Sequence, residues 1–378
     1  MSWRIPFNRA SLAGPELGYV GEAIRNGMIS GNGPFTARCE RLLERELGVH
    51  RAILTTSCTD ALEMTGLLLD LEEGDEVVLP TFTFVSCANA FALRRARPVF
   101  VDVLPGSLNL DPEAFARAIT PRTRAVLPVH YAGVGCDMDR IGRVASEHGV
   151  TVIEDAAHGV FGRWHGRPLA SFGRFATLSF HETKNFTCGE GGALVLNDAG
   201  DVARAEILRD KGTNRARFGR GEVDKYTWTD LGSSFLPSEI LAAFLWAQLE
   251  ARESIAASRL AVWQRYAHGL ADWGARSGVE LPARLPGAEP SWHMFQILLP
   301  TAEARRRLID HLAARGILAV FHYVPLHLST MGRRYGGQPG DCPVAEDAAE
   351  RLLRLPFFTS LGAAEQDEVI HAVEEVRW

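Results

Sequence analysis

Lysine is scarce in this chain of 378 residues: of its 40 basic residues only three are lysine, Lys184, Lys211 and Lys225. Arginine serves wherever a fixed positive charge is enough. It cannot give up its proton to become a nucleophilic amine, so a lysine that remains is a candidate for that work. Cysteine is sparse too, with Cys39, Cys58, Cys87, Cys136, Cys188 and Cys342 scattered and no CxxC pair. That spacing offers neither a metal site nor a disulfide framework. No Lys/Arg-rich run exists, and the net charge is −6, so nucleic acid is excluded as an expected partner. No segment approaches the roughly 20 apolar residues that span a bilayer. The opening MSWRIPFNRA lacks the apolar centre of a signal peptide. The expectation is a cytoplasmic protein that does not enter a membrane, without internal repeats or low-complexity tracts.

What is present is ordinary in bulk and specific in pattern. The chain is 46% hydrophobic and 23% charged, enough apolar material for a large core. Its length exceeds a comfortable single core, and two domains are expected. Between about residues 50 and 200, short apolar runs alternate with helical stretches. The runs are RAILT (51–55), EVVLP (76–80), PVFVDV (98–103), RAVLPVH (124–130), TVIED (151–155), FATLSFH (175–181) and GALVLND (192–198). Runs buried on both faces and separated by helices predict an α/β domain with a mostly parallel sheet. Chemistry in such sheets sits at the carboxyl ends of the strands. Residues 238–273 read as one long helix joining two domains. Beyond it, HMFQILL (293–299) and AVFHY (319–323) read as strands, and 303–316, 342–355 and 362–376 as helices. The expected division is 1–245 for the large domain and 246–378 for the connecting helix and a small α+β domain.

Four segments carry chemistry. In SFHETKNFTCGEGGALVLND (179–198), Lys184 stands in a loop between two strands, followed by Gly189, Gly191 and Gly192. Glycines there permit a tight turn and close backbone approach. A lysine beside a cofactor aldehyde can form a Schiff base and, once released, move protons. TVIEDAAHG (151–159) ends an apolar strand in Glu154 and Asp155, with His158 three residues on. A strand-end carboxylate suits a ring nitrogen that must stay protonated. TTSCTDALEM (55–64) runs from strand to helix through small hydroxylated residues, a phosphate site in which Ser57 or Thr59 also caps the helix. In PTFTFVSCANAF (80–91), Phe84 is an aromatic that can lie flat on a ring or belong to the core.

TSCTDAL, PTFTFVSCANAF, FVDV, PVHYAG, EDAAHG, SFHETKN with GEGG, and FHYVPLH occur in this order. Together they resemble the DegT-type family of sugar-nucleotide aminotransferases, from about residue 31 to RLPFF near the C-terminus. The resemblance implies a fold-type-I, aspartate-aminotransferase-like large domain and pyridoxal 5'-phosphate as cofactor. It implies that Lys184 holds the cofactor, Asp155 pairs with the pyridine nitrogen, His158 sits beside the ring oxygen and Phe84 stacks on the ring. Cys58, Thr59 and Ser179 would bind the phosphate. Cys58 stands where the family usually has glycine. Ser234 replaces an asparagine that commonly reaches the phosphate from a neighbouring subunit. His322, Tyr323 and His327 match a motif near the sugar-nucleotide site, and Phe35 in GNGPF is placed along the same cleft. The loop KGTNRARFGRGEVDKYTW (211–228) offers Arg215, Arg217 or Arg220 to a diphosphate or to donor carboxylates. The implied partners are a nucleotide-sugar substrate, L-glutamate and a second copy of the chain sharing the active sites. A dehydratase on this fold would carry histidine at position 184. A non-catalytic homologue would have lost Lys184, Asp155 or the GEGG loop.

Overall fold

The alternating runs pair into one twisted sheet in the computed structural model, which describes residues 3–378. Its strands are β1 (Arg51–Thr55), β2 (Glu76–Pro80), β3 (Arg97–Val101), β4 (Thr123–Val126) and β5 (Thr151–Asp155). After a hairpin of two-residue strands, β6 (Arg163–Trp164) and β7 (Arg167–Pro168), follow β8 (Phe175–Ser179) and β9 (Gly192–Leu196). The order is β1-β9-β8-β5-β4-β2-β3. Every pairing is parallel except the two made by β9. β2, β8 and β9 are buried at every position, which is why their sequences are continuous apolar runs rather than alternating ones.

Helices cover the sheet. They are α1 (Glu16–Arg25), α2 (Pro34–Leu47), α3 (Cys58–Leu68), α4 (Ser86–Ala92), α5 (Pro112–Ala118), α6 (Met138–His148), α7 (Val202–Arg209) and the short α8 (Arg215–Gly219). Side chains start several of them: the Asp60 N–H donates to Ser57 Oγ at 3.0 Å, and the Arg140 N–H to Asp137 Oδ1 at 3.1 Å. Each such cap contributes about 1 kcal/mol.

The expected single helix over 238–273 is three: α9 (Glu239–Glu250), α10 (Arg252–Gly269) and α11 (Ala271–Ser277). Two cores lie along this stretch. Leu245 and Leu249 of α9 pack with the sheet and α2. Val262 and Tyr266 of α10 pack in a second core with Phe295, Leu308 and Val369. Ile255 near the start of α10 still packs in the first core, so α10 itself runs from one core to the other. The rest comprises β10 (Ala288–Glu289), β11 (Gln296–Leu298), α12 (Ala302–Ala314), α13 (Thr330–Arg334), α14 (Pro343–Arg351), β12 (Leu352–Arg354) and α15 (Ala363–Glu374). The helix expected over 342–355 stops at Arg351, and Leu352–Arg354 pair with β11 instead. Pro356 disfavours helix for the residue before it. AVFHY forms no strand beyond a single bridge from Val320 to Arg354. Ile5 belongs to the second core and bridges Ile317, so the N-terminal segment packs with the C-terminal part of the chain.

Candidate active site

The topology brings the loops of interest to one edge. β1, β2, β5 and β8 are parallel and end there, and β9, running the other way, begins there. The α3 entry, the Thr83–Phe84 turn, the end of β5 and the loop 180–191 therefore meet. They surround a cavity of about 570 Å³, the size of an ordinary small-molecule site.

Strand alternation decides which of two adjacent carboxylates serves this cavity. Glu154 turns away into the interior, where it faces His130 Nε2 at 3.0 Å and accepts N–H bonds from Ala170, Phe172 and Gly173. Asp155 turns to the cavity. It accepts from the Ala157 N–H at 2.9 Å and from the Cys87 thiol at 3.0 Å.

Lys184 lies in the same wall. Burial pushes its ammonium below the ordinary lysine value, against the opposing attraction of Asp155, and so favours the neutral amine. Among the described residues no ion pair involves Lys184, whereas Lys211 is paired with Asp210 at 2.9 Å. The glycines that follow have distinct tasks. Gly189 turns the loop at φ +86°, and Gly192 opens β9 against the first turn of α3. A Cβ on Gly192 would stand 2.4 Å from the Cys58 nitrogen. The close approach expected of these glycines is thus made to the α3 backbone.

Cys58, Thr59 and Ser179 all line the cavity, with Thr59 Oγ1 2.8 Å from Ser86 Oγ. Phe84 lines it too and is 56% exposed, which removes the core reading for that ring. His158 is buried, with no hydrogen-bond partner for Nδ1. It stacks on His293 at 4.1 Å between ring centroids. His322 and Tyr323 complete this wall, with His322 Nδ1 3.0 Å from Tyr131 Oη. Burial holds His158, His293 and His322 well below the ordinary imidazole value, so all three are neutral at pH 7.

Other expected residues are not brought here by the chain itself. Phe35 is 1% exposed in the sheet core, under Arg38 and beside Tyr19; its apolar ring in an amphipathic helix made it a core residue, and it does not line the cleft. His327 is also structural: Nδ1 meets Thr81 Oγ1 at 2.6 Å and Nε2 meets Glu346 at 3.0 Å. Arg217 and Arg220 pair with Glu222, Arg220 also with Glu206, and Arg215 lies over Tyr226. Ser234 is exposed and bridges Asp210. None of these four lines the cavity.

Sequence reasoning missed His293, Asn185, Arg354 and the N-terminal Phe7 and Asn8. Asn185 Nδ2 donates to Ser291 O at 2.7 Å, which turns its Oδ1 to His293 Nδ1 at 2.9 Å. His293 is thereby fixed as the Nδ1–H tautomer. Its position three residues after Pro290 gave no periodic signal; only the adjacency of Asn185 to Lys184 could have pointed there.

Pyridoxal phosphate fits these residues. The N-terminal turn of α3, with Thr59 and Ser179, offers N–H and O–H donors for a phosphate. Asp155 offers a carboxylate, Phe84 an open ring face, and His158 a buried nitrogen without a partner. A sequence profile of the DegT/DnrJ/EryC1/StrS aminotransferase family matches residues 11–374. DesV of S. venezuelae, solved with a ketimine intermediate, is 32% identical with a TM-score of 0.90, covering 99% of this chain and 98% of that one. The aminotransferase TlmJ from Streptoalloteichus hindustanus is 32% identical with a TM-score of 0.89 over the same shares. Spr1654 from Streptococcus pneumoniae, assigned as a sugar aminotransferase, is 27% identical in its PLP-form, with a TM-score of 0.90 over 98% of this chain and 97% of that one. It has also been solved in a PMP-form. The chain thus belongs to the DegT/DnrJ/EryC1/StrS aminotransferase family, as a fold-type-I aminotransferase whose cofactor is pyridoxal 5'-phosphate.

Proposed function

We propose that this aminotransferase acts on a nucleotide sugar. It would move the amino group of L-glutamate to C4 of dTDP-4-keto-6-deoxyglucose, giving dTDP-4-amino-4,6-dideoxygalactose and 2-oxoglutarate. The observation that carries the reading is a half-buried Lys184, without an ion pair among the described residues, in one cavity with Asp155 and the α3 entry. The sugar class is supported by the similarity to Spr1654. The particular sugar rests on resemblance in residues 179–185, 211–234 and 319–327 to dTDP-4-amino-4,6-dideoxygalactose transaminase. Such a product would feed surface polysaccharide or lipopolysaccharide synthesis in the cytoplasm.

Lys184 would hold the cofactor, Asp155 its ring nitrogen, His158 its ring oxygen, and Phe84 its face. Thr59, Ser179 and the backbone at Cys58 would take the phosphate. The bound cofactor supplies a carbonyl carbon that accepts the amino group and a ring that withdraws electrons. Lys184 Nζ takes a proton from the carbon bearing the donor's amino group, and in the second half-reaction gives one to C4 of the sugar. A positioned acid/base of this kind contributes roughly 10²–10⁴-fold. Asp155, anchored by Ala157 and Cys87, keeps the ring nitrogen protonated. Neutral His322 and Tyr323 face the cavity as partners for sugar hydroxyls.

The active form is proposed to be a homodimer with shared sites. Phe218, Tyr226 and Trp228 of the arginine-rich loop and Leu231 just after it are exposed, an apolar face that a second copy would cover. Ser234 and one of Arg215, Arg217 and Arg220 would then serve the partner's cavity. The substrate test incubates enzyme, glutamate and the 4-keto sugar and reads the C4 configuration from proton couplings. An axial amine at C4 is expected. An equatorial amine, or turnover only with a 3-keto sugar or a GDP- or UDP-linked one, overturns the substrate.

A further inference from the structure

Phe84 and Asp155 reach the cavity from different strands, and one side chain ties them together. Thr83 and Phe84 lie in the turn between β2 and α4, and Cys87 in the first turn of α4. Asp155 ends β5, and β4 stands between β5 and β2 in the sheet. Phe84 is open to the cavity, whereas Thr83 and Cys87 in the same wall are 2% and 1% exposed.

Cys87 Sγ lies 3.0 Å from Asp155 Oδ2 and 3.0 Å from Thr83 Oγ1. A thiol has one hydrogen, and a carboxylate can only accept. That hydrogen therefore goes to Asp155, and the Thr83 hydroxyl donates to the sulfur. The direction of the chain, from Thr83 through Cys87 to Asp155, is fixed by this count. Burial, and then the charge of Asp155, push the thiol well above its ordinary value, so it stays a neutral donor.

Asp155 is thus held at both oxygens. Oδ1 takes the Ala157 N–H at 2.9 Å and Oδ2 takes the Cys87 thiol. The two bonds set the plane of the carboxylate and leave a lone pair on each oxygen for a further donor. Among the described residues no cation forms an ion pair with it. A thiol is a weak donor, so it orients the carboxylate while withdrawing little of its charge.

We propose that Cys87, directed by Thr83, is a positioning residue that aims the Asp155 carboxylate at the cofactor's ring nitrogen. This rests on Asp155 holding that nitrogen. Without the thiol, the carboxylate is free to turn about its last bond, and a hydrogen bond weakens steeply as it bends. The Cys87 N–H also donates to Phe84 O at 3.1 Å. One turn of chain thereby sets both the aromatic face and the carboxylate in register.

The test reads the ring nitrogen itself, in holoenzyme reconstituted with pyridoxal 5'-phosphate isotope-labelled at that atom. Its magnetic resonance frequency separates a protonated ring from an unprotonated one. The wild-type ring should stay protonated throughout, and the Cys87→Ala ring should begin to lose its proton between about pH 7 and 9. In the same variant kcat of the glutamate half-reaction should fall about 10-fold, with KM changed less than about twofold. Cys87→Ser, which donates from the same place, should restore most of both; a serine variant as impaired as the alanine one overturns the proposal. Asp155→Asn is the control and should lose the ring proton outright. If it does, and Cys87→Ala keeps the wild-type resonance, Cys87 only packs and the proposal is overturned alone. If Asp155→Asn keeps the wild-type resonance, the role of Asp155 falls and this proposal falls with it. Should Cys87→Ala not fold, Thr83→Val removes only the hydroxyl that directs the thiol, and an unshifted resonance there overturns the proposal equally.

Discussion

The sheet-edge cavity and the loop at 211–228 both hold concentrated charge, yet they hold it in opposite ways. In the loop, Arg217 and Arg220 pair with Glu222, Arg220 also with Glu206, and Arg215 rests on an aromatic ring. In the cavity, among the described residues, Lys184 has no ion pair, and His158 Nδ1 and Arg354 Nε have no hydrogen-bond partner. Unmatched polar groups in a wall are costly unless a ligand completes them. The contrast teaches that unfilled bonding capacity, more than charge, separates a site from a charged surface.

The largest expected difference lies between two lysines. Lys184→Ala should lose transamination by about 10³-fold or more, and borohydride should fix the cofactor to Lys184 in the wild type alone. Lys211→Ala, whose partner is Asp210, should stay near wild type; label found on Lys211 would break the comparison.

Two adjacent carboxylates sharpen it next. Asp155→Asn should fold normally and slow the glutamate half-reaction by about 10²-fold. Glu154→Gln should act on stability instead, since it weakens a buried acceptor of three N–H groups and stands against His130. A loss of about 1–3 kcal/mol is expected by urea denaturation. Equal effects of the two on turnover would show that the strand's faces are not so divided.

Smaller is the expected effect of Arg220→Gln. Within one chain it only loosens a surface network, so the melting temperature should hold. If the loop serves a partner's cavity, turnover falls while folding does not, and mixing this variant with Lys184→Ala restores part of the activity. A fully active monomer would exclude sharing.

The smallest effect is on pH dependence. His293 is held below the ordinary imidazole value first by burial, then by the charge of Lys184. A base depressed on folding binds protons more readily when unfolded. Its contribution is full above about pH 6.5 and declines as pH falls toward the lower folded value. His293→Gln should flatten the fall in urea midpoint between pH 7 and 5; an unchanged slope would show that His293 does not titrate this way.

The sequence by itself determined the seven apolar runs that become strands, a helix start at Ser57 or Thr59, a glycine turn within 189–192 and the candidate pair Lys184 and Asp155. These depend on local regularities: apolar periodicity, capping chemistry, glycine's freedom at positive φ, and spacing along one strand connection. Tertiary structure alone decided which residues from afar complete the cavity. His293 meets His158 across more than a hundred residues, and Arg354 arrives because β12 pairs with β11. It also sent Phe35 into the core and closed His327 between Thr81 and Glu346. A motif records which side chain a position carries. Whether that side chain's bonding groups are filled by neighbours or left for a ligand is settled only when distant segments pack.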